Sequence, residues 1–301
     1  MEIISVNPKG YCQGVVRAIQ LAKETADKYP NEKITILGML VHNQYVVDAC
    51  KEIGISYVED TNKTRLELLD DIDEGVVIFT AHGVSDEVKE KAKKKGLILV
   101  DASCKDVVKT HDIVKEHITH GDVIYIGKKN HPESEATTQL GDNIYLVTCI
   151  EDINNLPDLH NVLVTNQTTL SIIDIQILIE AILKRFPDAI IQDEICNATR
   201  IRQEAVLALD DIDCLIVVGD PKSNNTKQLQ EIAIKKGIPN TYLIETVQSL
   251  EEDMVKDKNR IAVTSGSSTP NSITEQVINY LKQYSIDGTW NLPKDINITL
   301  L

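Results

Sequence analysis

The chain has 301 residues, 42% hydrophobic and 26% charged, a composition typical of a water-soluble globular protein. Its formal net charge of −15 argues against nucleic acids and anionic membranes as partners, because both require a basic face. No apolar run approaches the roughly 20 residues of a membrane span, and the first residues lack the basic-then-apolar pattern of a signal peptide. We therefore expect a cytoplasmic protein whose six cysteines stay reduced and serve packing, metal binding or catalysis.

Short strands rich in Ile, Val and Leu alternate with amphipathic helices along most of the chain. The predicted core strands, in chain order, are KITILGML, GVVIFTAHG, GLILVDAS, DVIYIGKK, NVLVTNQ, AIIQDEIC, CLIVVGD and RIAVTSG. This alternation predicts βαβ units, and therefore an α/β fold with parallel sheets covered by helices. Each strand ends in a small or polar loop, and ligands of such folds bind at the carboxyl ends of strands.

Three cysteines follow strands at regular intervals. They lie in IISVNPKGYCQGVVRAIQLA, LILVDASCKDVVKTHDIV and AIIQDEICNATRIRQEAV, where a strand gives way to a cysteine and then to a helix. The cysteines are Cys12, Cys104 and Cys196, and 92 residues separate each from the next. Equal spacing indicates an internal repeat.

The loops after the next strands support the repeat. The loop 27 to 30 residues after each cysteine carries His42, His131 or Asn225, and the loop 64 to 72 residues after it carries His82, Thr168 or Ser268. We predict three similar α/β units arranged around a common point. Their ranges are 1–103 with the N-terminal strand, 104–195 and 196–285, followed by a tail, 286–301, that wraps the body.

Convergence of the three units would bring three thiols to one centre. A helix N-terminus lowers the pKa of a thiol and favours the thiolate. Three thiolates suit either zinc with one open position or an iron–sulfur cluster with one iron that lacks a protein ligand. The remaining cysteines, Cys50, Cys149 and Cys214, are interpreted as structural, since cysteine is often a buried packing residue.

The polar loops predict an anion site. Ser223, Asn225 and Ser268 lie in KSNNT and SGSSTPN, which resemble helix N-termini, where hydroxyls, amides and backbone N–H groups bind anions without Lys or Arg. Several charge-assisted hydrogen bonds, at roughly 1.5–3 kcal/mol each, could hold a diphosphate on an acidic protein. In HPESEA, the candidate proton donor is Glu133, next to a histidine-bearing loop at the sheet edge.

Taken in order, these motifs resemble a known family. GYCQGVVRAI, VHNQYVV, AHGVS, DASC, HPE, NQTTLS, ICNAT, SNNT and VTSGSSTP are similar to the IspH/LytB family of iron–sulfur 4-hydroxy-3-methylbut-2-enyl diphosphate reductases, over about residues 10–285. The family catalyses the last step of the non-mevalonate isoprenoid route. The resemblance implies a pseudo-threefold trefoil of three α/β domains around a central cluster.

The resemblance also implies residue roles. Cys12, Cys104 and Cys196 would ligate three irons of one 4Fe–4S cluster per chain, leaving one iron open. The residues implied for the substrate are His42, His82, His131, Thr168, Thr199, Ser223, Asn224, Asn225 and Ser268. Glu133 would relay protons with Thr168 and His131, and ferredoxin or flavodoxin would donate electrons. The products would be isopentenyl and dimethylallyl diphosphate.

The sequence departs from the family pattern without losing an implied ligand. Tyr11 replaces a usual Phe, Lys105 stands where the family commonly has Pro, and Lys128 stands where it often has His. Two alternatives stay open from the residues alone. One is a non-catalytic iron–sulfur or zinc sensor with the same fold, and the other is a diphosphate-binding module with structural cysteines.

Overall fold

The structure is a computed structural model that describes residues 1–296 and 298. The chain divides into two compact units. Met1–Val16, His42–Val46 and the chain from Asn197 onward form one, here called the terminal unit. Arg17–Val41 and Val47–Cys196 form the other, here called the central unit.

Short parallel strands and amphipathic helices build both units. The strands are β1 (Glu2–Ser5), β2 (Ile34–Leu37), β3 (Ile55–Val58), β4 (Val76–Phe79), β5 (Ile98–Asp101), β6 (Val123–Ile126), β7 (Ile144–Val147), β8 (Leu163–Asn166), β9 (Ile190–Ile191), β10 (Cys214–Val218), β11 (Asn240–Ile244) and β12 (Arg260–Ser265). The helices are α1 (Gln13–Lys28), α2 (Gln44–Glu52), α3 (Arg65–Leu68), α4 (Asp86–Lys94), α5 (Lys105–His117), α6 (Pro132–Thr138), α7 (Ile150–Asn154), α8 (Ile172–Arg185), α9 (Asn197–Leu207), α10 (Asn224–Lys236) and α11 (Asn271–Asp287). Short 3₁₀ turns occupy Leu69–Asp71, Val247–Ser249 and Glu252–Met254.

The strands form three four-stranded sheets in which all neighbours are parallel. The central unit holds two, with orders β3-β2-β4-β5 and β7-β6-β8-β9, and the terminal unit holds one, β11-β10-β12-β1. All eight strands predicted from the sequence are present. The α/β class and the three equivalent parallel sheets are therefore confirmed.

The N-terminal strand lies in a different sheet from the one expected. The sequence analysis assigned it to the first unit, 1–103, but β1 pairs with β12, in register from Glu2 with Arg260 to Ser5 with Val263. In each sheet the strand that leads to a cysteine is the fourth one, β5, β9 or β1. The N-terminal strand β1 therefore supplies the fourth strand of the third sheet, whose other three strands come from the C-terminal part of the chain. The other boundaries, at 104 and 196, stay a prediction.

Burial explains why the central strands were recognisable. Strands β2, β4, β6, β8 and β10 are buried at every residue, because helices cover both faces of their sheets. The second strands, β3, β7 and β11, flank them at the sheet edges and are only partly buried. Their sequences, ISYV, IYLV and NTYLI, were not among the predicted core strands.

The predicted tail begins later than expected. Helix α11 continues to Asp287, so the predicted start at 286 falls inside it. Gly288 then ends the helix in the left-handed conformation, with φ of 67°. Trp290 packs edge-on against Tyr280 and Tyr284, with ring centroids 5.2 and 5.0 Å apart, on the core of the terminal unit. Residues 297 and 299–301 of the predicted tail lie outside the described residues.

Candidate functional site

The three repeated cysteines share one backbone environment. Each lies immediately before a helix, namely α1, α5 or α9. Each also donates its backbone N–H to the carbonyl of a residue in the loop after the third strand of a sheet. These hydrogen bonds join Cys12 to Ser267 at 3.0 Å, Cys104 to Ala81 at 2.9 Å, and Cys196 to Thr168 at 3.1 Å. The repeat inferred from spacing therefore has a structural counterpart at each cysteine.

The side chains of these cysteines are suited to ligation. All three are partly exposed, lie outside any disulfide and stand at the start of a helix. Cys50 and Cys214 are buried, and burial raises the pKa of their thiols to about 11 and about 12. Those two remain protonated at neutral pH, in agreement with a packing role. Cys149 is the N-cap residue of the short helix α7.

The thiol set has the chemistry of an iron–sulfur or zinc ligand set. Within residues 1–296 and 298, no three His, Cys, Asp or Glu side chains lie close enough together to hold a metal ion. A single metal ion draws all its ligands to about 2.0–2.3 Å. Each cysteine of an iron–sulfur cluster binds a different iron, so a cluster does not require the thiols to gather around one ion.

The loop before Cys12 is held from several sides within the terminal unit. Gly10 adopts φ of 70°, a region that favours glycine, and its N–H donates to Ser265 Oγ at 2.7 Å. Arg202 on α9 donates from Nη2 to the Gly10 carbonyl at 2.8 Å and is only 3% exposed. The sequence analysis missed Arg202, although ATRIRQ contains it, because its long-range contact leaves no local pattern.

Polar side chains meet at the start of α10, also in the terminal unit. Ser268 Oγ lies 3.3 Å from Ser223 Oγ and donates to the His42 carbonyl at 3.0 Å. Asn225 Nδ2 donates to Thr199 Oγ1 at 3.1 Å, and Asn225 Oδ1 accepts from the amide of Ser267 at 2.9 Å.

This group, here called the α10 cluster, joins six predicted site residues. They are His42, Thr199, Ser223, Asn224, Asn225 and Ser268. All but His42 are buried, and Ser223 is the N-cap of α10, accepting from the amide of Thr226. The first amides of a helix and nearby hydroxyl and amide groups are hydrogen-bond donors suited to an anion, without a formal positive charge.

Two glycines leave room for the α10 cluster. A Cβ at Gly266 would lie 2.0 Å from Thr226 Oγ1, and one at Gly219 would lie 2.8 Å from the same atom. Real Cβ atoms do not approach so closely. The chain after β10 and after β12 can therefore approach the start of α10 only because residues 219 and 266 are glycines.

The other predicted side chains meet in the central unit. Glu133, in the first turn of α6, is 2% exposed. Its Oε1 accepts from the backbone N–H of Thr168 at 2.6 Å and its Oε2 accepts from the Thr168 hydroxyl at 3.0 Å. His131, the N-cap of α6, accepts from the Glu133 amide through Nδ1 at 3.2 Å. The rings of His131 and His82 meet edge-on at 5.7 Å.

The surroundings of Glu133 give it an unusual proton affinity. Burial, opposed by the two hydrogen bonds from Thr168, raises the pKa of the Glu133 carboxyl to about 7. The negative charge of Asp106 on α5 contributes to this rise. A carboxyl that exchanges its proton near neutral pH is suited to general acid catalysis.

The structure adds one buried residue beside Glu133 that the sequence analysis did not single out. Tyr125 on β6 is fully buried, and burial together with the negative charge of Glu133 holds its pKa well above the ordinary value. Nothing in the apolar strand VIYI distinguishes this tyrosine from a packing residue.

Three parallel four-stranded sheets, each with a strand that leads to a cysteine at the start of a helix, define an α/β protein with three equivalently placed cysteines. The chain belongs to the LytB protein family, whose model matches residues 3–282. The resemblance found in the motifs is thereby confirmed.

Relatives and solved structures agree with this membership. The chain is 44% identical over 306 residues to a 4-hydroxy-3-methylbut-2-enyl diphosphate reductase of Brevibacillus brevis, covering 99% of this chain and 97% of that protein. It is 47% identical over 290 residues to the protein of the same name from Bacillus cereus, covering 95% and 91%. The structure of the E-1-hydroxy-2-methyl-but-2-enyl-4-diphosphate reductase from Plasmodium falciparum is similar, with a TM-score of 0.87 and 32% identity over 97% of this chain and 94% of that one.

No helix in the part of the chain that the structure describes has both the length and the apolarity needed to cross a membrane.

Proposed function

We propose that the chain is a 4-hydroxy-3-methylbut-2-enyl diphosphate reductase that acts in the cytoplasm as the last enzyme of the non-mevalonate isoprenoid pathway. In the overall reaction, the allylic alcohol takes up two electrons and two protons. The C–O bond breaks, water leaves, and isopentenyl or dimethylallyl diphosphate forms. Relatives of that name match nearly the full length of the chain. The observation that carries the proposal is the buried Glu133 carboxyl, clamped by Thr168 and poised to give up a proton near pH 7.

Cys12, Cys104 and Cys196 would hold one 4Fe–4S cluster, with one iron left without a protein ligand. When bound, such a cluster supplies single electrons and a Lewis-acidic iron. The three thiols fit this group because they occupy equivalent positions at helix starts, with their backbone amides hydrogen-bonded alike. Ferredoxin or flavodoxin would deliver the electrons.

The substrate diphosphate would be bound by the α10 cluster together with His82 and His131. Hydroxyl, amide and imidazole groups can donate to its oxygens, as can the first backbone amides of α10. These groups supply hydrogen-bond donors to an anion without buried cations, in a protein whose net charge is −15. The charge-assisted bonds would orient the substrate as well as bind it.

Glu133 would act as the proton donor at the reacting end of the substrate. Thr168 fixes the carboxylate through both oxygens, so the acid is held in one orientation. His131 would assist the relay, and its ring is held by the bond from the Glu133 backbone amide. A pKa of about 7 lets Glu133 be protonated for donation and recharge from solvent between turnovers.

The test is product formation by protein purified and assayed without oxygen. We expect protein that contains the iron–sulfur cluster to form isopentenyl and dimethylallyl diphosphate when it is given 4-hydroxy-3-methylbut-2-enyl diphosphate and a chemical reductant. The matched control is Cys50→Ser, which removes a buried thiol and should leave the iron content and the products unchanged. Loaded protein that binds the substrate but forms neither product would instead favour a sensor. A colourless protein that still binds diphosphate would favour a binding module with structural cysteines.

A further inference from the structure

The Glu133 carboxylate has a polar neighbour besides the residues already described. Thr168 donates to both carboxylate oxygens from the loop after β8. Helix α5 contributes the charge of Asp106, and His131 lies at the start of α6. From β6, the Tyr125 hydroxyl interacts with the same carboxylate. These groups are the titratable and hydrogen-bonding residues that act on Glu133 from the elements around it.

Tyr125 is an unusual residue for its position. Its ring is fully buried among apolar side chains on one face of the sheet, including Val114, Ile144 and Leu163. The hydroxyl is also buried, and it makes no hydrogen bond of standard length and angle with any described residue. A buried, unsatisfied hydroxyl costs stability, and phenylalanine would fill the same space without that cost.

Two polar side chains on α6 explain how the hydroxyl can be used. Glu133 and Thr137 lie one turn apart on α6, and both interact with Tyr125. The Thr137 hydroxyl already donates its proton to the Glu133 carbonyl at 2.8 Å, so its oxygen remains an acceptor. The Glu133 carboxylate and the Thr137 oxygen are therefore both possible acceptors for the Tyr125 proton.

We propose that Tyr125 is a positioning residue for the proton donor, donating its hydroxyl proton to Glu133 when Glu133 is ionised and to Thr137 when it is protonated. Tyr125 keeps its own proton throughout, and only Glu133 loses and regains one. The high pKa of Tyr125 agrees with this, because a buried phenol beside a carboxylate stays protonated. The proposal rests on the assignment of Glu133 as the proton donor and adds the group that sets its proton affinity.

The consequence is a defined shift in titration. Removing a donor destabilises the ionised carboxylate, so loss of the Tyr125 hydroxyl should raise the pKa of Glu133 from about 7. One charge-assisted hydrogen bond corresponds to a shift of about one pH unit. The alkaline limb of the rate profile, where Glu133 ionises and donation stops, should move upward by the same amount.

The experiment compares Tyr125→Phe with Tyr145→Phe. Tyr145 lies on the neighbouring strand β7 and packs on the opposite face of the same sheet, so it is a matched control for loss of a tyrosine hydroxyl. Infrared difference spectra across a pH titration report the protonated Glu133 carboxyl, identified as the band absent from Glu133→Gln. The kcat profile is measured over the same pH range. Tyr125→Phe should shift both midpoints upward, and Tyr145→Phe should shift neither.

The infrared titration needs no turnover, so it separates this proposal from the proposed function. An infrared shift in a protein that forms no product would support the coupling of Tyr125 to Glu133 while removing the reductase assignment. A Glu133 band that titrates at the same pH in Tyr125→Phe and wild type would overturn the proposal. So would an equal shift in Tyr145→Phe. If Tyr125→Phe fails to fold, 3,5-difluorotyrosine at position 125, a stronger donor of the same shape, must shift the midpoint downward.

Discussion

Replacing Glu133 with glutamine should stabilise the protein at alkaline pH while removing its activity. Glutamine matches the shape of the carboxylic acid but carries neither charge nor a transferable proton. The Thr168 N–H can still donate to the amide oxygen, and the Thr168 hydroxyl can rotate to accept from the amide nitrogen. The change therefore removes ionisation with little disturbance of packing.

The size of the effect follows from the pKa of Glu133. Its value is about 7 in the folded protein against an ordinary 4.5, so the folded state binds more protons than the unfolded state between these values. The stability that this group contributes is fully present below pH 4.5 and is lost as the pH rises through 7. Since one pH unit corresponds to 1.36 kcal/mol, the ionised carboxylate costs about 3 kcal/mol at pH 8.

The assay is anaerobic urea unfolding of wild type and Glu133→Gln, matched in iron content, at pH 5 and pH 8. The variant should be more stable by about 3 kcal/mol at pH 8 and by only about 1 kcal/mol at pH 5. Its kcat should fall by about 10²- to 10⁴-fold, the usual contribution of a general acid, with substrate binding retained. Glu116→Gln, on an exposed part of α5, is the control and should show neither effect. A difference in the free energy of unfolding between Glu133→Gln and wild type that is the same at pH 5 and pH 8 would contradict this expectation.

Three further changes test other parts of the structure. Arg202→Met removes the donor to the Gly10 carbonyl and should lower stability by about 2 kcal/mol and reduce iron retention, measured by iron analysis after buffer exchange. Gly266→Ala drives a Cβ against Thr226 Oγ1 and should cost about 1–3 kcal/mol in urea unfolding and raise the KM for substrate. Trp290→Ala removes ring packing on α11 and should lower the thermal midpoint without changing kcat. An unchanged iron content, KM or midpoint, respectively, would contradict each expectation.

The sequence was most informative where chemistry and repetition coincide. The 92-residue spacing identified Cys12, Cys104 and Cys196, and the structure gives each the same amide hydrogen bond to a third-strand loop. Glu133 could be chosen because it lies close to His131 in the loop at the carboxyl edge of a sheet, where ligands of α/β folds bind. The repeat identified Thr168 in the third loop of its unit, and the family resemblance implied that it acts with Glu133.

The features that were missed depend on long-range packing. Strand β1 joins β12 from the far end of the chain, and no local pattern in Glu2–Ser5 specifies that partner. The role of Arg202 arises from its burial beside Gly10, which is distant in sequence. The role of Tyr125 arises from its burial beside Glu133, which follows it after a loop. Periodicity reports which residues are buried, but it does not report which polar atoms they meet.

The central claim is that three repeated thiols hold one cluster with an open iron, and Mössbauer spectroscopy of ⁵⁷Fe-loaded protein tests it most directly. The account predicts four irons per chain, one of which changes its signal when 4-hydroxy-3-methylbut-2-enyl diphosphate is added. Serine at Cys12, Cys104 or Cys196 should each lower the iron content, whereas Cys214→Ser should not. Four irons whose Mössbauer signals do not change with substrate, or full iron content in all three serine variants, would contradict the assignment of a three-cysteine cluster with an open iron.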